Sequence, residues 1–222
     1  MARILITSGP TREYLDPVRY LTNASSGRMG AALAAAALEA GYEVVVVSGV
    51  VQVAYPARAR VVPVTTTEEM LRACHDEFPS CEGVVGAAAP CDYRPLRVAA
   101  EKITKSGRPL KLILEETPDI LTSLAAARQG QWMVAFALET AEGQRRATEK
   151  LRAKRCDLVV LNGPGAIDAA ETRIEILDAA GERLVEFAGS KSGAARAVLA
   201  AVDRFLAPRA PTGQADADLP PC

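Results

Sequence analysis

Short apolar runs alternate with amphipathic stretches along most of the chain. Continuous apolar runs bounded by turn residues are typical of parallel strands that are covered on both faces. The runs that predict central strands are Ile4–Thr7, Val44–Val47, Val61–Val64, Gly83–Ala89, Trp132–Ala137 and Leu158–Leu161. The stretches that predict helices are Met29–Ala40, Thr67–Phe78, Pro118–Ala127, Glu142–Lys154 and Ser190–Phe205. This alternation predicts an α/β fold with a Rossmann-like, doubly wound parallel sheet.

Other segments depart from the alternation. The residues between Gly9 and Thr22 follow neither period and are interpreted as irregular. Leu110–Glu115 predicts an outlying strand, and Arg173–Leu177 with Leu184–Phe187 predicts an added β-hairpin. We expect one domain over residues 1–206, followed by a disordered tail at 207–222 that contains four prolines.

Composition excludes several classes of function. The net charge of −1 and the aromatic content of 5% provide no basic field or stacking platform for nucleic acid. Five scattered cysteines form no Cys-x-x-Cys motif, and the sequence shows neither a signal peptide nor a membrane span, so we expect a cytoplasmic protein. The single histidine, His75, lies in a predicted amphipathic helix, which favours a structural role over catalysis by a Ser-His or Cys-His pair.

In a doubly wound sheet, ligands bind beyond the carboxyl ends of the strands. Here this rule selects the segments 8–28, 86–105, 117–121, 136–140 and 162–170. The first strand is followed by Ser8-Gly9-Pro10-Thr11-Arg12, without Gly-x-Gly-x-x-Gly, and the second ends without an acid. A Walker motif is also missing, so neither common nucleotide fingerprint is present.

A different anion site is suggested by Asn23-Ala24-Ser25-Ser26-Gly27-Arg28-Met29-Gly30 at the start of a predicted helix. The free N–H groups of a helix start bind phosphate or carboxylate oxygens. Plain N-capping by Ser25 or Ser26 explains those two residues about equally well.

Two further groups of residues suggest a nucleotide site. Small residues from Gly86 to Ala89 at a strand end let a base or ribose approach the backbone, and Asp92 is placed to accept from sugar hydroxyls. Lys102 lies in a loosely patterned stretch and suits a residue that closes over a reacting group, although a solvated lysine is the simpler interpretation. Lys150 and Lys154, four residues apart, suit a polyphosphate or a solvated helix face equally.

Together these segments resemble the phosphopantothenoylcysteine synthetase family, the phosphopantothenate–cysteine ligases of coenzyme A biosynthesis. The resemblance extends to about Leu206, and the stretch through Asn-x-Ser-Ser-Gly is its most specific part. It is carried by Ile6–Glu13, Leu15–Tyr20, Asn23–Gly30, Asp92–Arg94, Glu101–Ile103, Pro118–Leu121, Phe136–Thr140 and Asp157–Asn162. Pro90-Cys91 stand where small apolar residues are usual in the family.

The resemblance implies that a nucleoside triphosphate, CTP with ATP as the alternative, converts the carboxylate of 4′-phosphopantothenate to an acyl-nucleotidylate that the amine of L-cysteine then attacks. It implies Asn23 and Lys102 as catalytic residues. Its implied nucleotide-binding residues are Lys102, Gly86, Ala87, Ala88, Asp92, Pro118, Asp119, Ile120, Leu121, Phe136, Lys150 and Lys154. Its implied phosphate- and substrate-binding residues are Gly9, Thr11, Asn23, Ser25, Ser26 and Gly27.

The resemblance also implies Mg²⁺ with the nucleotide, no flavin, a stand-alone ligase and a homodimer that uses the sheet extensions around 105–115 and 173–187. Two alternatives stay open. One is an NAD(P)-dependent reductase, which the sheet and helix order permits. The other is a non-catalytic nucleotide sensor, against which the presence of Asn23 and Lys102 argues.

Overall fold

An eight-stranded sheet forms the centre of the computed structural model, which describes residues 2–138, 148–149, 151–163 and 171–206. Its strands are β1 (Arg3–Ser8), β4 (Glu43–Ser48), β5 (Arg60–Pro63), β6 (Gly83–Gly86), β9 (Trp132–Leu138), β10 (Leu158–Asn162), β11 (Glu171–Asp178) and β12 (Arg183–Ser190). Their order is β12-β11-β10-β9-β6-β1-β4-β5, and every neighbouring pair is parallel except the two that β11 forms. The predicted doubly wound sheet is therefore confirmed.

Helices cover both faces of this sheet, as the continuous apolar strands require. α1 (Arg28–Glu39) and α4 (Lys191–Phe205) pack together on one face, where Leu33 and Val198 join the core. α2 (Thr67–Glu77) and α3 (Ile120–Ala127) cover the other face through Met70 and Leu124. A capping box between Thr66 and Glu69 begins α2.

Two small antiparallel pairs lie outside the central sheet. β2 (Arg12–Tyr14) pairs with β3 (Tyr20–Thr22), inside the stretch predicted to be irregular. These three-residue strands pair only with each other. Both lack the apolar run that is typical of a core strand. β7 (Tyr93–Pro95) pairs with β8 (Leu114–Glu116), which shortens and shifts the outlying strand predicted at Leu110–Glu115.

Two other expectations change in extent. β6 ends at Gly86, so Ala87–Ala89 form a loop at the edge of the sheet. The hairpin at β11 and β12 continues the central sheet beside β10. Residues 148–149 and 151–153 are helical, whereas the rest of the predicted helix through Ala147, Lys150 and the tail at 207–222 lie outside the described residues. Across the described ranges, no helix combines the length and apolar character needed to span a membrane.

Candidate functional site

Two neighbouring clefts open at the carboxyl edge of the sheet. The first, of about 300 Å³, lies between the end of β6, the end of β9 and the start of α3. The second, of about 490 Å³, lies between the start of α1, the loop after β6 and the ends of β9 and β10. Their common wall consists of Ala88, Asp92, Phe136 and Lys154. Two ligands bound side by side would meet at this wall.

Most of the predicted site residues line these clefts. The first cleft contains Gly86, Ala88, Asp92, Pro118, Asp119, Ile120, Leu121, Phe136 and Lys154. The second contains Asn23, Ser25, Ser26, Gly27, Ala87, Ala88, Asp92, Phe136 and Lys154. Residues more than 130 positions apart in the chain are thus brought together, as the rule for strand ends predicts.

The start of α1 has no side-chain cap. Gly27 is the N-cap residue and adopts φ 76°, a left-handed conformation that favours glycine. The hydroxyls of Ser25 and Ser26 do not cap the helix, which removes the N-capping interpretation for them. The N–H groups of the first turn are therefore available to an anion in the second cleft.

Close packing fixes this helix start against β1. A Cβ on Gly30 would lie 2.0 Å from Oγ of Ser8, so only glycine permits this approach. The buried Ser8 hydroxyl donates to the Gly27 carbonyl at 3.3 Å and accepts from the Tyr55 hydroxyl at 2.8 Å. The position of the anion loop is thus set by side chains beneath it.

The segment after β4 packs against two glycines near the start of α1. Cγ1 of Val51 lies 2.4 Å from the position of a Cβ on Gly9 and 2.7 Å from that of a Cβ on Gly27. Neither glycine therefore has room for a side chain.

Asn23 is held by the loop that follows β6. Its Nδ2 atom donates to the Pro90 carbonyl at 2.8 Å and to the Ala89 carbonyl at 3.3 Å. An amide has only two N–H donors, and both are directed at this loop. A ligand carboxylate would receive a hydrogen bond from Asn23 only if the longer of the two contacts opened.

Thr11 supports the same loop from below. Its side chain is fully buried, with its hydroxyl 2.9 Å from that of Thr67, and it accepts from the backbone N–H of Cys91 at 2.8 Å. Neither Thr11 nor Gly9 lines either cleft, and the substrate contact expected of both stays a prediction. Burial raises the pKa of the Cys91 thiol, although the hydrogen bond to Thr11 opposes the shift.

Lys154 and Asp119 form an ion pair of 2.7 Å in the wall of the first cleft. Asp119 also caps α3 by accepting from the backbone N–H of Thr122 at 2.8 Å. Burial alone would raise the pKa of Asp119, but Lys154 and the Thr122 N–H outweigh it and hold this pKa below its usual value. The ion pair places the ammonium group of Lys154 in the wall of the first cleft.

Asp16 ties the segment that carries Lys102 to the β2–β3 hairpin. The fully buried carboxylate accepts from the backbone N–H of Ile103 at 3.1 Å and from the guanidinium of Arg19. Burial raises the pKa of Asp16, but its bonds to Val18, Ile103 and Arg19 hold it well below the ordinary value. Lys102 itself is exposed and lines neither cleft, while Lys150 lies outside the described residues.

The structure adds residues that the sequence interpretation did not select. Asn162 and Lys191 line the second cleft, and the buried Oδ1 of Asn162 has no hydrogen-bond partner among the described residues. The start of α4, Ser190-Lys191-Ser192-Gly193, repeats the serine, glycine and basic residue that mark the start of α1. That likeness in the sequence could have identified the start of α4, with Lys191, as a further part of the site. Within the described ranges, no group of three or more His, Cys, Asp or Glu residues suits a metal ion.

Comparison with known proteins places these clefts in context. Residues 1–206 match the model of the DNA/pantothenate metabolism flavoprotein C-terminal domain. The coenzyme A biosynthesis bifunctional protein CoaBC of Vibrio cholerae is 44% identical over 163 residues, which are 72% of this chain and 41% of that protein. CoaBC of Bacillus subtilis is 39% identical over 175 residues, 77% of this chain and 43% of that protein. The chain thus spans about two fifths of the length of these relatives.

Solved structures are similar to nearly the whole chain, as one of them illustrates. The crystal structure of the C-terminal domain of CoaBC superposes with a TM-score of 0.80 and is 35% identical, covering 92% of this chain and 95% of that one.

Proposed function

Because the chain belongs to the family of the DNA/pantothenate metabolism flavoprotein C-terminal domain, we propose that it is a phosphopantothenate–cysteine ligase. The two clefts with one common wall carry this proposal, since the first reaction must bring a carboxylate to the α-phosphate of a nucleotide. CTP occupies the first cleft and 4′-phosphopantothenate the second. The two substrates meet at Ala88, Asp92, Phe136 and Lys154.

The proposed reaction has two balanced steps. A carboxylate oxygen attacks the α-phosphorus of CTP, which forms an acyl-cytidylate and releases pyrophosphate. The amine of L-cysteine then attacks the acyl carbon, which forms the amide and releases CMP and a proton. No electrons are transferred, so this reaction has no use for a flavin.

The nucleotide is held by groups of the first cleft. Gly86 lets Leu121 pack against the end of β6 in the cleft wall, because a Cβ on Gly86 would lie 2.7 Å from the Leu121 side chain. The Asp92 carboxylate is placed to accept from ribose hydroxyls, and Lys154 supplies positive charge to the phosphates. We expect Lys150 to do the same.

Mg²⁺ belongs with the triphosphate in this proposal. The first cleft contributes the carboxylates of Asp92, Glu116 and Asp119, and Mg²⁺ in nucleotide sites is bound by one or two carboxylates together with phosphate oxygens. A metal that arrives with the nucleotide needs only one of these carboxylates, and its positive charge screens the polyphosphate.

Asn23 and Lys102 serve the reacting groups. Release of the 3.3 Å contact to Ala89 frees one N–H of Asn23 for the carboxylate and then for the oxygen of the acyl intermediate. Lys102 stands on an exposed segment tethered at Ile103, and movement of this segment brings the ammonium group over the phosphates.

A homodimer in a reducing, cytoplasmic setting completes the proposal. Large apolar side chains are exposed on the segment around β8, among them Leu96, Val98, Leu110, Leu112 and Ile113. Ile113 is 73% exposed, and a second copy of the chain would remove this surface from water. The described cysteines Cys74, Cys81, Cys91 and Cys156 are free and buried, which suits a reducing compartment.

One assay separates this proposal from its alternatives. The purified chain is incubated with phosphopantothenate, L-cysteine, Mg²⁺ and CTP, then with ATP, and both pyrophosphate and phosphopantothenoylcysteine are measured. We expect equal amounts of both products with CTP. Nucleotide binding without either product would favour the sensor, and a fluorescence change on titration with NADPH would favour the reductase.

A further inference from the structure

The reversal of chain direction at β11 determines where α4 begins. β11 is antiparallel to both β10 and β12, so β12 runs in the same direction as β10 and the five strands parallel to β10. Its last residue, Ser190, therefore lies at the carboxyl edge of the sheet. α4 starts there at Lys191, beside the start of α1, against which it packs.

Lys191 lines the second cleft together with the whole uncapped start of α1. It does not line the first cleft and is no part of the common wall, in contrast to Lys154. Lys154 therefore lies on the side of the second cleft that adjoins the first cleft, and Lys191 lies away from that side. Together with Arg28 at the start of α1, these cationic positions suit an elongated ligand with a negative group at each end.

4′-Phosphopantothenate has this form. Its carboxylate must stand at the common wall to reach the nucleotide, and its phosphate lies at the other end of the molecule. We propose that Lys191 binds this phosphate and makes the ligase select the phosphorylated substrate over pantothenate. This inference rests on the proposed function and assigns a specificity-determining residue to it.

Lys191 adds to the positive charge that the start of α1 presents to this cleft. The first-turn N–H groups and the positive end of this helix of 12 residues attract an anion, and Arg28 of the same turn also lines the cleft. A phosphate monoester carries nearly two negative charges at neutral pH. Lys191 supplies a formal counter-charge in addition to Arg28, and Ser190 holds the start of its helix by accepting from the Gly193 N–H at 3.1 Å.

The test compares two substrates in the protein and in Lys191→Met, which keeps an unbranched side chain but removes the charge. We expect kcat/KM for phosphopantothenate to fall about tenfold to a hundredfold, mainly through KM, since a charge-assisted contact of this kind binds ground state and transition state alike. We expect kcat/KM for pantothenate and the KM for CTP to stay unchanged. Lys191→Arg should retain most of the selectivity.

The matched control is Arg196→Met, on the same helix, where the exposed Arg196 pairs with Glu39 away from both clefts. Arg196→Met should leave kcat/KM unchanged for both phosphopantothenate and pantothenate. An unchanged ratio of phosphopantothenate to pantothenate in Lys191→Met, with the same Tm as the protein, would overturn the inference. Equal losses for both substrates would also overturn it, since a purely structural role predicts that result.

Calorimetry separates this inference from the proposed function. If the chain makes no ligation product, the proposed function fails, while titration with phosphopantothenate and with pantothenate still tests Lys191. Weaker binding of the phosphorylated compound alone in Lys191→Met would support the inference without turnover. Equal affinity of the two compounds for the unchanged protein would overturn it.

Discussion

Asn23 donates from Nδ2 to the carbonyl of Pro90 at 2.8 Å, which joins the loop before α1 to the loop after β6. The two loops border the second cleft, and a substrate carboxylate bound there would compete with the loop for the same donor. Asn23 therefore joins the two loops and is also the proposed contact to the reacting group.

We expect Asn23→Asp to lower kcat/KM for ligation about a hundredfold or more, in the range measured for loss of a single oxyanion donor. The new carboxylate faces the Ala89 and Pro90 carbonyls and repels the carboxylate of the substrate. Coupled pyrophosphate release measures the effect. Turnover within a factor of two of the unchanged protein would remove Asn23 from the mechanism.

Lys154→Met tests the nucleotide cleft. We expect the KM for CTP to rise about tenfold to a hundredfold with a smaller effect on kcat, because a phosphate anchor contributes mostly uniform binding. Arg72→Met, on the exposed face of α2, is the control. An unchanged KM for CTP would return Lys154 to a role in holding Asp119 alone.

Asp16→Asn tests the tether of the Lys102 segment. We expect kcat to fall about tenfold, since a misplaced segment brings Lys102 to the nucleotide less often. Loss of this carboxylate should also lower the free energy of unfolding. Because folding lowers the pKa of Asp16, its contribution is fully present above the ordinary value of 3.8 and is lost as pH falls through lower values.

The stability difference between the protein and Asp16→Asn should accordingly be constant near neutral pH and shrink below about pH 4. Urea unfolding at several pH values measures it. Asp76→Asn, at an exposed position on α2, serves as the control and should show no such trend. A difference that grows toward acid pH would contradict the assignment.

Gly30→Ala tests the approach of α1 to β1. Its Cβ meets Oγ of Ser8 at 2.0 Å, so we expect a loss of about 1–3 kcal/mol in the free energy of unfolding and weaker phosphopantothenate binding. Removal of the opposing side chain in the double variant Ser8→Gly/Gly30→Ala should recover part of the loss. Additive losses in a double-mutant cycle would show that the two residues do not clash.

Ile113→Asp tests the proposed dimer. A charge in the middle of the apolar segment around β8 should shift the chain to a monomer in light scattering after size exclusion, because the interface would bury an unpaired carboxylate. Val18→Asp, a change at another exposed apolar position, is the control. A dimer that persists in Ile113→Asp would move the contact to another surface.

The central sheet was predictable because six of its eight strands are continuous apolar runs, and buried parallel strands have few alternatives. Most cleft residues followed from the same pattern, since strand ends meet at one edge. The β2–β3 hairpin was not predictable in this way. Its side chains, such as Arg12 and Glu13, mix polarity, and its order depends on contacts such as Glu13 with the Thr67 N–H at 2.8 Å.

Lys191 and the tether of Lys102 were missed for a related reason. The position of Lys191 depends on the order and direction of β10, β11 and β12, which local hydrophobic pattern does not encode. The tether joins Asp16 to Ile103 across 87 positions. Local periodicity reports which face of an element is buried, and it carries no information on such distant partners.

The chain reverses its direction twice in the hairpin formed by β11 and β12. It therefore returns to the ligand edge of the sheet before its final helix begins. Loss or gain of a single strand would deliver that helix at the opposite edge and remove its lysine from the cleft. This border of the sheet can therefore gain or lose strands two at a time. A change by one strand would separate substrate selection from catalysis.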